Sequence, residues 1–514
     1  MVPRSDRELL IMKKLFASFL SLSLILVSCS LYRPPANPLP TSTASADPME
    51  TPWEDRSIFK DGLVQSERSV LDELNGASVY HLEFKIAVDL YHITGTEEVR
   101  YTNTEPVPLS EIQFRLFPNI LGGEMAVSSL TVDGQSVAQK YELQNSLMIV
   151  QLPKPLEPTQ SIILKMDYSV NVPQEVELNY GVLAYYEDVL TLAHAYPMIC
   201  VYDDEGWNAE IPPQDGDVTY GDVAFYIVRV TAPKGLTLVT SGREISRDEA
   251  GRVQALTVAS GPARDFYLAA SPNYEEVSQT FGEVTIYSYA VKDSQNGAQL
   301  TLEVASKAIK VYSERYAPYP YTELDIVATP TLALGIEYPG MIAIANRIYN
   351  VGGEYRGSPT SIYLESTVAH EVGHQWFYSL VGDDQLDDPW LDESLTQFVT
   401  LQYFSDLYGK SGEDGFRTSL EDRWAGVGKA DIPIGLPVAE YNGAEYGSIV
   451  YGRGPLFFVA LRDEIGAQDF DAFLKEYTET LSWGIATPEL MRSIAEKRCD
   501  CNLQAIFDEW VYPP

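Results

Sequence analysis

The chain has 514 residues and a mass of 57.2 kDa, about three times the usual domain size, so two or three domains are expected. Apolar residues make up 45% and charged residues 21%, values that exclude a wholly disordered or fibrous chain. The 36 Lys and Arg stand against 73 Asp and Glu for a net charge of −37, so the surface repels phosphate backbones: nucleic acid is not expected as a partner, and neutral or cationic ligands are favoured.

The first residues read as an address. Lys13 and Lys14 precede Leu15 to Ser28, an uncharged and mostly apolar run with the layout of a signal peptide over 1–28, the expected start being Met12. Leu26-Val27-Ser28-Cys29 resembles the lipobox of bacterial lipoproteins. That resemblance makes Cys29 the expected lipidation site, a lipid-held membrane the expected partner, and an extracytoplasmic membrane face the expected location. Ser30 to Asp47 is rich in Pro, Ser and Thr and holds too few apolar residues to offset the entropy of ordering, so a tether is expected over 29–76. No later run is long and apolar enough to cross a membrane.

Alternation then dominates. Tyr80, Leu82, Phe84, Ile86, Val88 and Leu90 interleave with polar residues, as do Ile162, Leu164, Met166, Tyr168 and Val170, and again Val223, Phe225 and Ile227. Period two predicts half-buried strands, and turns such as Asp133-Gly134 and Pro233-Lys234-Gly235 join them into an antiparallel sandwich or saddle-shaped sheet. The pattern changes near residue 270. Leu300 to Tyr316 reads as a helix and long helical stretches follow from Ser361, so a β-rich domain is expected over 77–270 and a mainly helical one over 271–514. Besides Cys29 the cysteines are Cys200, Cys499 and Cys501. Three thiols cannot all pair within one chain, and their disulfide state is left open.

One stretch carries chemistry: His370-Glu371-Val372-Gly373-His374. Two imidazoles at i and i+4 project from one helix face and can share one ion. Zinc suits neutral imidazole nitrogen and needs a third protein ligand, leaving one corner open in a catalytic site. Glu393 can supply it, 393 − 374 = 19 residues on. That is far enough for the first helix to end near Val381-Gly382, a loop to pass Asp387-Asp388-Pro389, and a second helix over Trp390 to Tyr408 to return with Glu393 in its first turn. Five histidines in 514 residues would place H-E-x-x-H by chance in roughly 0.003 of such chains, so a purposeful site is the stronger reading.

The chain resembles the aminopeptidase N family of gluzincin zinc metallopeptidases. H-E-x-x-H with a later Glu is that family's zinc signature, and Trp390-Leu391-Asp392-Glu393 is similar to its W-L-N-E segment. Leu334-Gly335-Ile336-Glu337-Tyr338 falls where members carry G-x-M-E-N, with Leu334 and Tyr338 as departures. Val450-Tyr451-Gly452-Arg453-Gly454 resembles the V-Y-x-K-G block, and Tyr446 matches a second tyrosine of some members. The resemblance implies an α+β multidomain fold, an N-terminal antiparallel β saddle or sandwich followed by a mainly helical thermolysin-like catalytic domain. The chain looks like a two-domain member with a more open cleft.

The resemblance further implies one Zn2+ per chain on His370, His374 and Glu393, with Glu371 activating the attacking water and Tyr451 stabilising the oxyanion. Glu337, with Gly335 and Tyr446, would bind peptide substrates that have a free N-terminus. A second amine-binding residue is expected from the β domain, with Glu187 or Asp188 as candidates by rough spacing. His81, His92 and His194 are expected to pack or face solvent, and Asp383, Asp384, Asp387 and Asp388 to form a solvated loop. The reading is a lipid-anchored zinc metallo-aminopeptidase. The alternatives are a non-enzymatic surface binding protein that keeps the fold, or a related zinc endopeptidase.

Overall fold

The computed structural model describes residues 47–512 apart from 214–215, 217–218 and 293. The expected leader, Cys29 and most of the Pro-rich stretch lie outside the described residues.

The alternating segments form strands, except that the first ends at Ile86 and leaves Val88 exposed and Leu90 in the turn before His92. Ser78–Ile86, His92–Thr102, Ser161–Asn171 and Ala224–Pro233 lie in an eight-stranded sheet with Glu124–Val132, Gln135–Ser136, Arg243–Ala250 and Val253–Ala263. Along Ser161–Asn171 every second side chain is buried, the mark of one face packed on a core and one face wet. Two four-stranded sheets cover that inner face, and Leu82, Val99, Phe114, Leu164 and Val228 fill the space between. One pairing departs from the antiparallel expectation: Ser78–Ile86 runs parallel to Ala224–Pro233. More than a hundred residues separate these strands in sequence, so no hairpin fixes their direction.

Tyr267–Ser271 is the last strand of that β-rich region. Tyr274–Phe281 opens another sheet, of five strands, in the order Tyr274–Phe281, Val284–Val291, Glu323–Thr329, Met341–Ala345, Gly335–Tyr338. Gly335–Tyr338 is its edge strand, antiparallel to Met341–Ala345. Helix Gln295–Arg315 buries Leu302, Ala305, Ala308, Ile309 and Tyr312, a three-and-four spacing that makes one apolar face. Further helices complete the region: Thr360–Gly373, Leu395–Ala425 with a break at Gly409 (φ 62°), Gly454–Ile465, Ala467–Leu481 and Pro488–Cys499. Among the described residues no helix is long and apolar enough to cross a membrane.

The tether expected through residue 76 does not extend past Asp47. Short helical turns run from Pro48–Glu50 to Val70–Glu73, and Phe59, Leu63, Val64, Val70 and Leu71 are buried in the same core as Phe225, Ile227 and Leu302. These apolar residues gain enough by burial to order the segment, which a Pro- and Ser-rich composition could not.

Arg264 joins the β-rich region to the helical one. It is fully buried, and its guanidinium donates to the carbonyls of Tyr378 (2.6 Å), Gly484 (2.6 Å), Gly221 (3.2 Å) and Leu380 (3.4 Å). A Cβ on Gly382 would overlap that guanidinium. Cys499 and Cys501 form a disulfide with Cα atoms 5.2 Å apart, and burial pushes the free Cys200 thiol up to about 12.

Candidate metal centre

Helix Thr360–Gly373 is buried along Leu364, Val368, Ala369 and Val372, which turns His370 inward. The helix stops at Gly373, not near Val381-Gly382 as expected, and His374 caps it with its N–H on the His370 carbonyl. The reason is a side-chain bond. His374 Nδ1 donates to the Phe377 carbonyl at 2.9 Å, so the chain must fold back directly after the second histidine. That bond also orients the ring, so that Nε2 faces His370 and Glu393.

Pro389 precedes a π-helical turn, Trp390–Ser394, that leads into Leu395–Ala425. Glu393 lies in this turn. Tyr451 lies in a second one, Ile449–Arg453. Such wide turns are costly and concentrate at functional sites. A Cβ on Gly373 would press on Thr396 and Val399 at 2.8 and 3.1 Å, so glycine there lets the two helices approach.

His370 Nε2 lies 3.1 Å from Glu393 Oε2 and 3.2 Å from His374 Nε2, and His374 Nε2 lies 3.5 Å from Glu393 Oε2. Ligands about 2.0–2.1 Å from a tetrahedral zinc stand about 3.4 Å apart, so the triangle has the right size for that ion. The electrostatics agree at Glu393 and His370; at His374 burial is outweighed by the charges of Glu337 and Glu393, which push the imidazole well above its ordinary value until a cation takes their place beside them. Burial would raise the Glu393 pKa, but the His374 charge and hydrogen bonds from both histidines hold it well below the carboxylate range. Burial lowers His370 to about 4, which keeps the imidazole neutral, as ligation requires.

Two more carboxylates meet this triangle. Glu337, Glu371 and His374 form a second buried set of converging ligand-type atoms. Burial and then the Glu337 charge push Glu371 well above its ordinary value, and burial raises Glu337 as well. Such a cluster ionises fully only with a cation at hand. Gly335 is required for the approach, since a Cβ there would overlap the Glu371 carboxylate.

Tyr451, half-buried, donates its hydroxyl to Glu393 Oε1. The Tyr446 ring stands edge-on to it at 5.7 Å. A Cβ on Gly216 would lie 3.2 Å from the Tyr446 hydroxyl, so a loop of the β-rich region closes against this tyrosine. His370, Glu371, His374, Glu393, Glu337, Gly335, Tyr451 and Tyr446 thus come together. Glu187 and Asp188 sit at an exposed hairpin tip, where Asp188 meets Tyr185 (3.5 Å) and Asn273 (3.4 Å).

Other residues at the site carry no motif. Gln385 Nε2 donates to Asp392 Oδ2 (2.7 Å) and Glu337 Oε1 (3.3 Å), and Asp392 Oδ1 accepts from the Glu393 N–H at 2.5 Å. This chain of bonds holds Glu337 and Glu393 in one frame. Only Asp392, beside Glu393 in sequence, had a signal that could have pointed to it. The expectation of a solvated acidic loop holds only at Asp387, which is exposed: Asp383 is buried, and burial raises Asp384 and Asp388 to about 7 each, because the loop is drawn inward by its buried Gln385 and Leu386. His81 stacks on Trp53 (4.2 Å), His92 pairs with Asp89 (2.8 Å), and His194 bonds Thr219 (3.0 Å) and Asp265 (3.2 Å). None joins the centre.

Residues 300–510 match the Peptidase family M1 domain. Probable aminopeptidase 2 of Sulfurisphaera tokodaii is 26% identical over 274 residues, 51% of this chain and 35% of that protein. Human endoplasmic reticulum aminopeptidase 1 is 26% identical over 251 residues, covering 45% and 26%. The chain thus spans about a third or less of the length of these relatives. In fold it is similar to the M1 zinc metallopeptidase of Deinococcus radiodurans, with TM-score 0.62 and 19% identity over 86% of this chain and 95% of that one. A mutant of that protein bound to a Tyr-Ser-Ala substrate aligns with TM-score 0.63 and 20% identity, covering 86% and 96%.

Proposed function

We propose that this chain, whose residues 300–510 match the Peptidase family M1 domain, is a zinc metallopeptidase of the aminopeptidase N family and removes N-terminal residues from peptides. The observation that carries the reading is the zinc-sized triangle of His370, His374 and Glu393, with Glu371 converging on it from the helix of the two histidines and Glu337 from the edge strand. His370, His374 and Glu393 would hold zinc there, which would supply Lewis-acid chemistry: polarisation of a carbonyl and a water pKa lowered toward about 7.

The chain's own groups do the rest. The Glu371 carboxylate takes a proton from the attacking water and passes it to the nitrogen of the leaving amine. The Tyr451 hydroxyl turns from Glu393 to the carbonyl oxygen as charge grows there, a contact strongest in the transition state. Tyr446 braces the Tyr451 ring. Glu337 holds the substrate's α-ammonium in a site shielded from water, which sets cleavage after the first residue. Gly335 lets the substrate backbone lie along the edge strand.

The decisive measurements are metal content and hydrolysis of a free-amine aminoacyl amide beside its N-acetylated twin. About one zinc per chain, chelator-sensitive cleavage and strong rejection of the acetylated twin are expected. Equal cleavage of the two would make it an endopeptidase, and failure to bind zinc would remove the enzyme reading. The anchor is a separate proposal resting on Leu26-Val27-Ser28-Cys29 alone. Cys29→Ala should move the protein from the membrane to the soluble extracytoplasmic fraction, and unchanged fractionation would refute it.

A further inference from the structure

The metal centre is electrically lopsided. Glu337 and Glu371 lie at one end. At the other stand two arginines, in a chain with twice as many acids as bases, and among the described residues neither forms an ion pair. Arg423 is in the last turn of Leu395–Ala425, and its Cβ lies 3.1 Å from where a Cβ on Gly452 would be, beside Tyr451. It is exposed to solvent, yet desolvation by the protein about it lowers its pKa while Tyr451 and Glu393 oppose that. Arg356, also exposed, sits over the Tyr355 ring at 5.3 Å, and Arg347 lies over the same ring at 5.6 Å.

The edge strand gives this polarity a direction. Glu337 lies toward one end of Gly335–Tyr338, and Gly335, two residues earlier, touches Glu371. Leu334 continues the ladder through its carbonyl to Ala345 N–H (2.9 Å). Further back, the carbonyls of Leu332 and Ala333 accept from Arg347 at 2.6 and 2.9 Å, which places Tyr355 and Arg356 at that end. From Glu337 to Ala333 is four residues, about 13 Å of strand. A peptide lying on this edge with its ammonium at Glu337 passes the metal near Gly335 and reaches the arginines after about three residues.

We propose that Arg423, supported by Arg356, receives the C-terminal carboxylate of the substrate, so that the protein is selective for short peptides of about three residues with both termini free. Arg423 is thus a specificity-determining residue, and its guanidinium suits a carboxylate because two N–H donors can meet two oxygens. The inference rests on the aminopeptidase reading and deepens it.

The test compares kcat/KM of the zinc-loaded full chain for a tripeptide acid, its C-terminal amide and a hexapeptide with the same first three residues, with an aminoacyl anilide as a reference that has no carboxylate. A charge-assisted pair predicts about a 10- to 100-fold preference for the acid, carried by KM and reduced by salt. The hexapeptide should be cleaved less well than the tripeptide acid. Arg423→Gln should bring the acid-to-amide ratio toward one, and Arg423→Lys should keep part of it. Equal cleavage of acid and amide by the unmodified protein, or an unchanged ratio in Arg423→Gln, would overturn the inference and leave the aminopeptidase reading intact. Failure to cleave any of these substrates, the anilide included, would overturn that reading and the inference with it.

Discussion

Two buried carboxylate sites in this protein differ in one respect. In the β-rich region Glu97 is fully buried between the strands of the large sheet, and among the described residues neither carboxylate oxygen has a hydrogen-bond partner. Burial pushes its pKa well above the ordinary value, which favours the neutral acid. In the helical region Glu393 is equally hidden, yet two imidazoles hold it well below that value. Burial penalises both; only the second has partners that favour charge. A buried carboxylate becomes an acceptor for a cation when neighbouring elements bring donors to it, and otherwise it stays protonated.

Breaking the charged site should have the largest effects. Removing the metal with a chelator should abolish hydrolysis and also lower Tm, because an ion bound only by the folded state stabilises it. Calorimetry with and without added zinc reads both the loss and the recovery. Glu371→Gln keeps the shape but not the base, and kcat should fall about 10²- to 10⁴-fold while zinc content stays near one per chain. Loss of zinc in that variant would move Glu371 from proton transfer to ligation. Tyr451→Phe should cost about 10²- to 10³-fold in kcat with little change in metal content, and near-normal turnover would take the hydroxyl out of the mechanism.

The neutral site predicts a smaller effect of the opposite sign. A raised folded-state pKa means that the stability contributed by protonated Glu97 is complete below the unfolded carboxyl value near 4.5 and is lost as pH rises from there through the folded value. Glu97→Gln, which cannot ionise, should therefore raise Tm by a few degrees at pH 7–8, with the gain shrinking toward pH 4. A variant less stable at every pH would show that Glu97 is held by contacts that need its acid form.

Much of the centre was legible from the chain. His370 and His374 are four residues apart on a helix, so their meeting is a property of helical geometry. Glu393 needed only a reversal of direction. The strands were legible because Tyr80 to Ile86 and Ile162 to Val170 alternate without interruption. The halt at Gly373 was not, because it depends on where the Phe377 carbonyl meets His374 Nδ1. Nor were the π-helical turns that carry Glu393 and Tyr451. A wider turn has no residue signature and persists only where surrounding packing holds it. The segment from Pro48 to Glu73 was misread for a related reason: its few apolar residues look sparse until Phe59 and Leu63 are seen beneath Phe225 and Leu302.

The chain alone determined what acts over a few residues: sheet where alternation runs at period two, helix where it runs near four, and two imidazoles on one face. Tertiary structure decided what depends on distant partners. It buried Asp383 within its loop, and it set Gln385 between Glu337 and Asp392, Arg264 across two regions, and the charge of every carboxylate at the centre. The physical reason is that local periodicity is written in the backbone, whereas a charge and its solvation are properties of the volume around a group, and that volume exists only after the chain has folded.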